Sequence, residues 1–228
     1  DNGDELYAKM GWGYFGHTPQ AYVDLLETVY QPVKDIDREA QILFGGLAYD
    51  YWEPDGPFVR TFLDEVLAIM ENEGRYPFDM MNFHYYPVFS GNWEAYGIDF
   101  IGKANFIRAK MVEYGVNKLL ICTETSMRSD CPPDSVYCGS TETQSCYVLQ
   151  VYSRAQAADL EVGIWFMLVD PADIGAPLEG LLNADLEPKL SYTAYQVLAE
   201  QLTSADYTRI LGLNETGSEQ IEAYEFRE

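Results

Sequence analysis

The segment NKLLICTETS, residues 117–126, is apolar from Leu119 to Cys122 and then sets Glu124 at its end. A carboxylate at the mouth of a buried strand is costly unless something compensates it or uses it. Three other apolar stretches close in a similar way. AQILFGGLAYD ends in Tyr49 and Asp50, with Tyr51 and Trp52 next; MMNFHYYP ends in Asn82, His84, Tyr85 and Tyr86; VGIWFMLVDP carries Trp165, then Asp170, with Asp173 beyond. Carboxylates suit nucleophilic or general acid–base work. Aromatic rings beside them suit a ligand with flat C–H faces and hydroxyl edges, which is carbohydrate. Each residue also has a plain structural use. Glu124 could pair with Arg128 or cap the helix that follows, His84 could be a satisfied core histidine, and Trp165 could be core. Met80 and Met81 read as core filler, Asp170 and Asp173 as loop and cap residues.

Other chemistries lack their residues. No Gly-x-Ser-x-Gly elbow appears, and neither FGGLAY nor GWGYFG has the spacing and strand–helix setting of a nucleotide-binding loop. No His or carboxylate cluster has metal-ligand spacing, so neither metal nor cofactor is expected. The formal net charge of −23 over 228 residues argues against nucleic acid and against an anionic membrane surface, both of which need a basic patch. The 18 Tyr and 4 Trp fit either a sugar-binding surface or a tyrosine-rich core. Cys131 and Cys138 bracket a Pro-containing loop and read as a local disulfide. Cys122 reads as a buried thiol within a strand, and Cys146 as either paired or free. An oxidising compartment follows, extracellular or at the cell surface. There is no leader-like segment and no run of about 18 apolar residues, so a leader, if the protein is exported, is expected upstream of Asp1.

The elements that must position these residues alternate. A helix with an apolar stripe of Tyr22, Leu25, Leu26 and Val29 starts at a Thr18 cap followed by Pro19. A strand over 40–49 follows, then a helix closed by Gly74, the strand ending before Pro87, a helix closed by Gly115, the strand ending at Glu124, a helix opened by the Ser/Thr run at 140–143, the strand bearing Trp165, and a last helix over SYTAYQVLAEQL. Mostly apolar strands alternating with helices predict a parallel sheet covered on both faces. Functional groups then collect at the carboxyl ends of the strands. After residue 204, DYTRILGL and QIEAYEFRE predict two short strands around the turn-rich NETGSE. The expected organisation is residues 1–204 as one unit and 205–228 as the start of a β-rich accessory segment.

FHYYP, LLICTETS and VGIWFML, in this order and separated by helices, resemble strands six, seven and eight of clan A glycoside hydrolases, most closely family 39 and its cellulase-like relatives. The resemblance covers residues 12 to about 202. It implies an α/β fold, a (β/α)8 TIM barrel, of which this chain supplies about the second half, strands five to eight. In that clan strand six carries a His-x-Tyr pair, matched by His84 and Tyr86. Strand seven ends in the nucleophile glutamate, matched by Glu124. Strand eight carries a tryptophan under the sugar, matched by Trp165. Tyr49, Trp52 and Trp93 would then be candidates for flanking subsites. The clan's acid/base glutamate follows an asparagine at the end of strand four. Glu5 lacks that asparagine and follows no strand, so the acid/base residue is expected upstream of residue 1. The resemblance implies a retaining glycoside hydrolase acting on a polysaccharide or oligosaccharide, with the first half of the barrel as the remaining partner. The alternative is a non-catalytic carbohydrate-binding or structural half barrel.

Overall fold

In a computed structural model, the structure describes residues 18–48, 61–131, 139–173 and 175–227. Tyr49, Trp52 and Cys138, and with Cys138 the expected disulfide, lie outside the described residues. No disulfide joins two described cysteines; Cys122 is a buried free thiol and Cys146 an exposed one.

Helix α1 (Pro19–Ile36) begins as its sequence predicts. Thr18 Oγ1 accepts the Ala21 N–H at 3.1 Å, and Pro19 takes a position whose N–H would have no helical partner. Its buried face differs from the expected stripe. Tyr22, Val23 and Leu26 are buried, whereas Leu25 and Val29 are 42% and 38% exposed. Apolar residues around most of the helix left the buried face open, and packing against the rest of the molecule selected it. Helix α2 (Phe62–Glu73) ends on Gly74, which takes the left-handed conformation (φ 65°) that glycine adopts without a Cβ clash.

The strands β1 (Met80–Tyr85), β2 (Leu119–Thr125) and β3 (Val162–Trp165) form a parallel sheet in the order β1-β2-β3. Helix α3 (Asp99–Glu113) joins the first two and helix α4 (Thr141–Ala157) the last two, the crossover that parallel neighbours require. Ser140 Oγ caps α4 by accepting the Thr143 N–H. Two expectations about strands are corrected. The stretch 40–49 is not a continuous strand: residues 42–48 run parallel to β1 through isolated bridges, Leu43 to Met80 and Leu47 to Phe83. Gly45 and Gly46 weaken the ladder there, and Gly46 leaves space for the His84 ring; a Cβ on it would lie 2.0 Å from His84 Nε2. The last strand stops at Trp165, just before a cis peptide between Phe166 and Met167.

Both ladders of the sheet slip near their carboxyl ends, between Phe83 and His84 in one and between Cys122 and Thr125 in the other. Such irregularities re-aim side chains and are favoured at functional edges. Asn82, itself buried, bridges the first slip by accepting from the Thr123 N–H and Oγ1–H at 3.1 and 2.9 Å. The core lies between the sheet and the helices, with Phe83, Tyr85, Leu67, Phe100, Ile107 and Val148 all fully buried. Among the described residues no helix is long and apolar enough to cross a membrane.

Helix α5 (Leu190–Leu202) packs on α4. An antiparallel hairpin of β4 (Asp206–Ile210) and β5 (Tyr224–Arg227) follows. The segment between them, expected as a turn, contains one helical turn, α6 (Leu213–Thr216), closed by Gly217 at φ 73°.

Candidate active site

Glu124 stands at the carboxyl end of β2, directly across from His84 in the register. The Tyr86 hydroxyl donates to Glu124 Oε1. His84 Nδ1 faces Glu124 Oε2 at 3.5 Å, a contact longer than a well-formed hydrogen bond. The His84 and Glu124 side chains are 22% and 27% exposed, so the cluster is recessed but open to solvent. The slips in the two ladders bring these groups together: His84 and Tyr86 lie on one face of β1, and the irregular end of β2 turns Glu124 to meet them.

Neither structural use of Glu124 is realised. Arg128 binds Asp130 through two N–H donors, at 3.1 and 2.9 Å. The cap of α4 is Ser140.

The electrostatics follow from burial. Tyr86 is pushed well above the ordinary phenol value, first by burial and then by the Glu124 carboxylate that accepts its hydrogen bond, so it remains a donor through the working pH range. His84 is held below the ordinary histidine value by burial, aided by the charge of Lys103 and opposed by Glu124. The imidazole is therefore neutral near pH 7. Glu124 has one oxygen tied to a phenol and the other facing a neutral ring, a carboxylate oriented by the Tyr86 hydroxyl and without a cationic partner among the described residues. Such a group can attack an electrophilic carbon or take up a proton.

Trp165 pairs with Thr125 in the register. It is 8% exposed, packs against Tyr147 and gives its Nε1–H to the Glu179 carbonyl at 2.9 Å. Trp93, expected as a subsite candidate, is fully buried beneath α3 and packs against Phe106; it is core. Met81 is core as expected, and Asp173 is exposed. Asp170, expected as a loop residue, forms a buried ion pair with Lys189 at 2.9 Å and accepts the Gly180 N–H at 2.6 Å, anchoring the excursion after β3.

That excursion delivers a residue the sequence reading missed, Glu179. The Leu178 carbonyl accepts from both the N–H and the hydroxyl of Ser129, each at 3.0 Å, which pins the segment to the end of β2. Burial raises the Glu179 carboxyl above the ordinary value, and the nearby charges of Glu124 and Asp130 add to this against Ser126 and Arg128. Ser126 Oγ lies close enough to affect both Tyr86 and Glu179, but it is buried without a well-formed hydrogen bond. Glu179 follows no strand and belongs to no short motif. Only its placement in the loop after the last strand hinted at the rim. Among the described residues no group of three or more His, Cys, Asp or Glu could hold a metal ion.

No family model matches the chain, and no curated protein matches it in sequence. Solved structures do match in fold. A family 39 glycoside hydrolase from Bacteroides cellulosilyticus is 18% identical with a TM-score of 0.60, over 84% of this chain and 39% of that one. A Bacteroides uniformis β-glucuronidase, covalently bound to a cyclophellitol-6-carboxylate aziridine, is 14% identical with a TM-score of 0.54, over 83% and 21%. A family 128 endo-β-1,3-glucanase from Amycolatopsis mediterranei, in complex with laminaritriose and laminaribiose, is 16% identical with a TM-score of 0.51, over 82% and 67%. The chain thus has a clan A-like glycoside hydrolase fold and spans well under half the length of the first two.

Proposed function

We propose that the chain is the C-terminal part of a (β/α)8 retaining glycoside hydrolase, with Glu124 as its nucleophile. One observation carries the reading: Glu124 sits at a strand's carboxyl end with Tyr86 donating to one oxygen and a neutral His84 facing the other. In the first step a Glu124 oxygen bonds to the anomeric carbon while the bond to the leaving-group oxygen breaks, and that oxygen takes a proton from a carboxylic acid. In the second step water, deprotonated by the same carboxyl, releases the sugar from Glu124. The proton donor is expected in the preceding half of the barrel, upstream of residue 1. In this reading Trp165 and Glu179 would border the sugar.

The sheet supports an incomplete barrel. Val162 and Ile164 on β3 are 40% and 47% exposed, and beyond the strand Leu168 is 60% exposed. Parallel sheets are ordinarily covered on both faces, and the other half of a barrel would cover this one.

The test uses the full-length protein. A cyclophellitol aziridine should label Glu124, as located by peptide mass mapping, and Glu124→Gln should abolish hydrolysis of oligosaccharides, laminaritriose first, while sparing their binding. Labelling at another residue, or hydrolysis retained by the variant, overturns the assignment. Sugar binding with no hydrolysis by the unmodified protein would favour a non-catalytic carbohydrate-binding half barrel instead.

A further inference from the structure

We propose that Lys103 is a positioning residue of this site: its ammonium clamps the carboxyl ends of two adjacent parallel segments and thereby presents His84 to Glu124. Lys103 projects from α3 and is fully buried. Burying an ammonium is costly unless its protons are all received. Here Nζ donates to the carbonyl oxygens of Leu47 at 3.1 Å, of Ala48, and of His84 at 2.6 Å. These carbonyls belong to the 42–48 segment and to β1, beside the slip between Phe83 and His84 in the ladder that β1 makes with β2. The Leu47 carbonyl also accepts the His84 N–H at 3.1 Å, so the ammonium caps the point where the two segments are still joined. The cation also lies 5.2 Å from the Trp93 ring centroid and 5.9 Å from that of Phe83.

The clamp acts on His84 from two sides. It holds the His84 main chain through its carbonyl. It also brings up the residue 47–48 backbone, which carries Gly46 with it. The absence of a side chain at Gly46 lets the imidazole lie against that backbone with Nε2 inward, leaving Nδ1 toward Glu124. Among the described residues the charged groups acting on His84 are Glu124 on β2 and Lys103 on α3. Burial is the largest influence and keeps the ring neutral; Glu124 opposes it, and Lys103 adds a smaller push in the direction of burial. A protonated His84 would pair with Glu124 and quench it. This consequence for catalysis rests on the proposed nucleophile; the clamp itself does not.

Histidine-selective proton–nitrogen NMR on the full chain tests the clamp without any activity. The chain has two histidines, so His17 serves as the internal reference. In the unmodified protein His84 should titrate below the ordinary value of about 6.5. In Lys103→Met, which keeps the volume and removes the charge, the midpoint should rise toward that value and the ring resonances should move. A His84 midpoint at or above the ordinary value in the unmodified protein overturns the inference, as does an unchanged His84 in a folded Lys103→Met. Failure of aziridine labelling at Glu124 would bear on the nucleophile alone.

Discussion

A carboxylate is as nucleophilic as its hydrogen bonds leave it, and at Glu124 those bonds come from a neutral phenol with a neutral imidazole nearby. Types and order in FHYYP and LLICTETS were enough to set His84 and Tyr86 on one face and Glu124 at a strand's end, because side chains two apart on a strand share a face; the contact between Tyr86 and Glu124 came from the fold. Glu179 was not legible in this way: its approach depends on a loop held by the Asp170–Lys189 pair and by Ser129. Its charge state yields a prediction. Burial, with Glu124 and Asp130, raises its pKa in the folded protein. A carboxyl that holds its proton more tightly when folded contributes stability that is full below the unfolded value, about 4.3, and is lost as pH rises through the folded value. Glu179→Gln should therefore raise Tm at pH 7 and leave it unchanged at pH 4, as read by calorimetry. An equal effect at both pH values would mean the proton plays no part.

At the scale of elements, caps and stops were legible and strand extents were not. Thr18, Gly74 and Ser140 end or begin helices where their own chemistry dictates. The stretch 40–49 reads as a strand by composition, yet it pairs with β1 only through isolated bridges, and Gly46 makes room for His84. Helix α3 depends on another glycine. A Cβ on Gly102 would lie 2.6 Å from the carbonyl oxygens of both Trp93 and Gly97, and backbone cannot move aside as a flexible side chain can. Gly102→Ala should destabilise the fold by about 1–3 kcal/mol, measured by denaturant unfolding. It should also displace Lys103, its neighbour. A loss under half a kcal/mol would show that α3 can shift without penalty.

Across the whole molecule one network ties the hairpin to the sheet. Arg154 on α4, its side chain 8% exposed, binds Asp99 at the start of α3 and, through two donors at 2.8 and 2.5 Å, Glu222 just before β5. The Tyr85 hydroxyl donates to the same Asp99, so β1 joins the network. Removing the cation leaves two partly exposed carboxylates, Asp99 and Glu222, without their shared partner. Arg154→Met should cost about 1–3 kcal/mol and open the chain after residue 203 to limited proteolysis. Adding Asp99→Asn should recover part of the loss. Equal stability of both variants and the unmodified protein would remove the network from the account.

The order of strands and helices, the caps, the shared face of His84 and Tyr86 and the buried thiol of Cys122 were determined by the sequence itself, because each depends on neighbours a few residues apart or on a repeating face. The ladder slips that aim Glu124, the arrival of Glu179 and Lys103, the burial of Trp93 and the Arg154 network were decided by the tertiary structure. Those depend on groups brought together from distant parts of the chain, where a free-energy balance of burial against pairing selects the partner and no local pattern records the result.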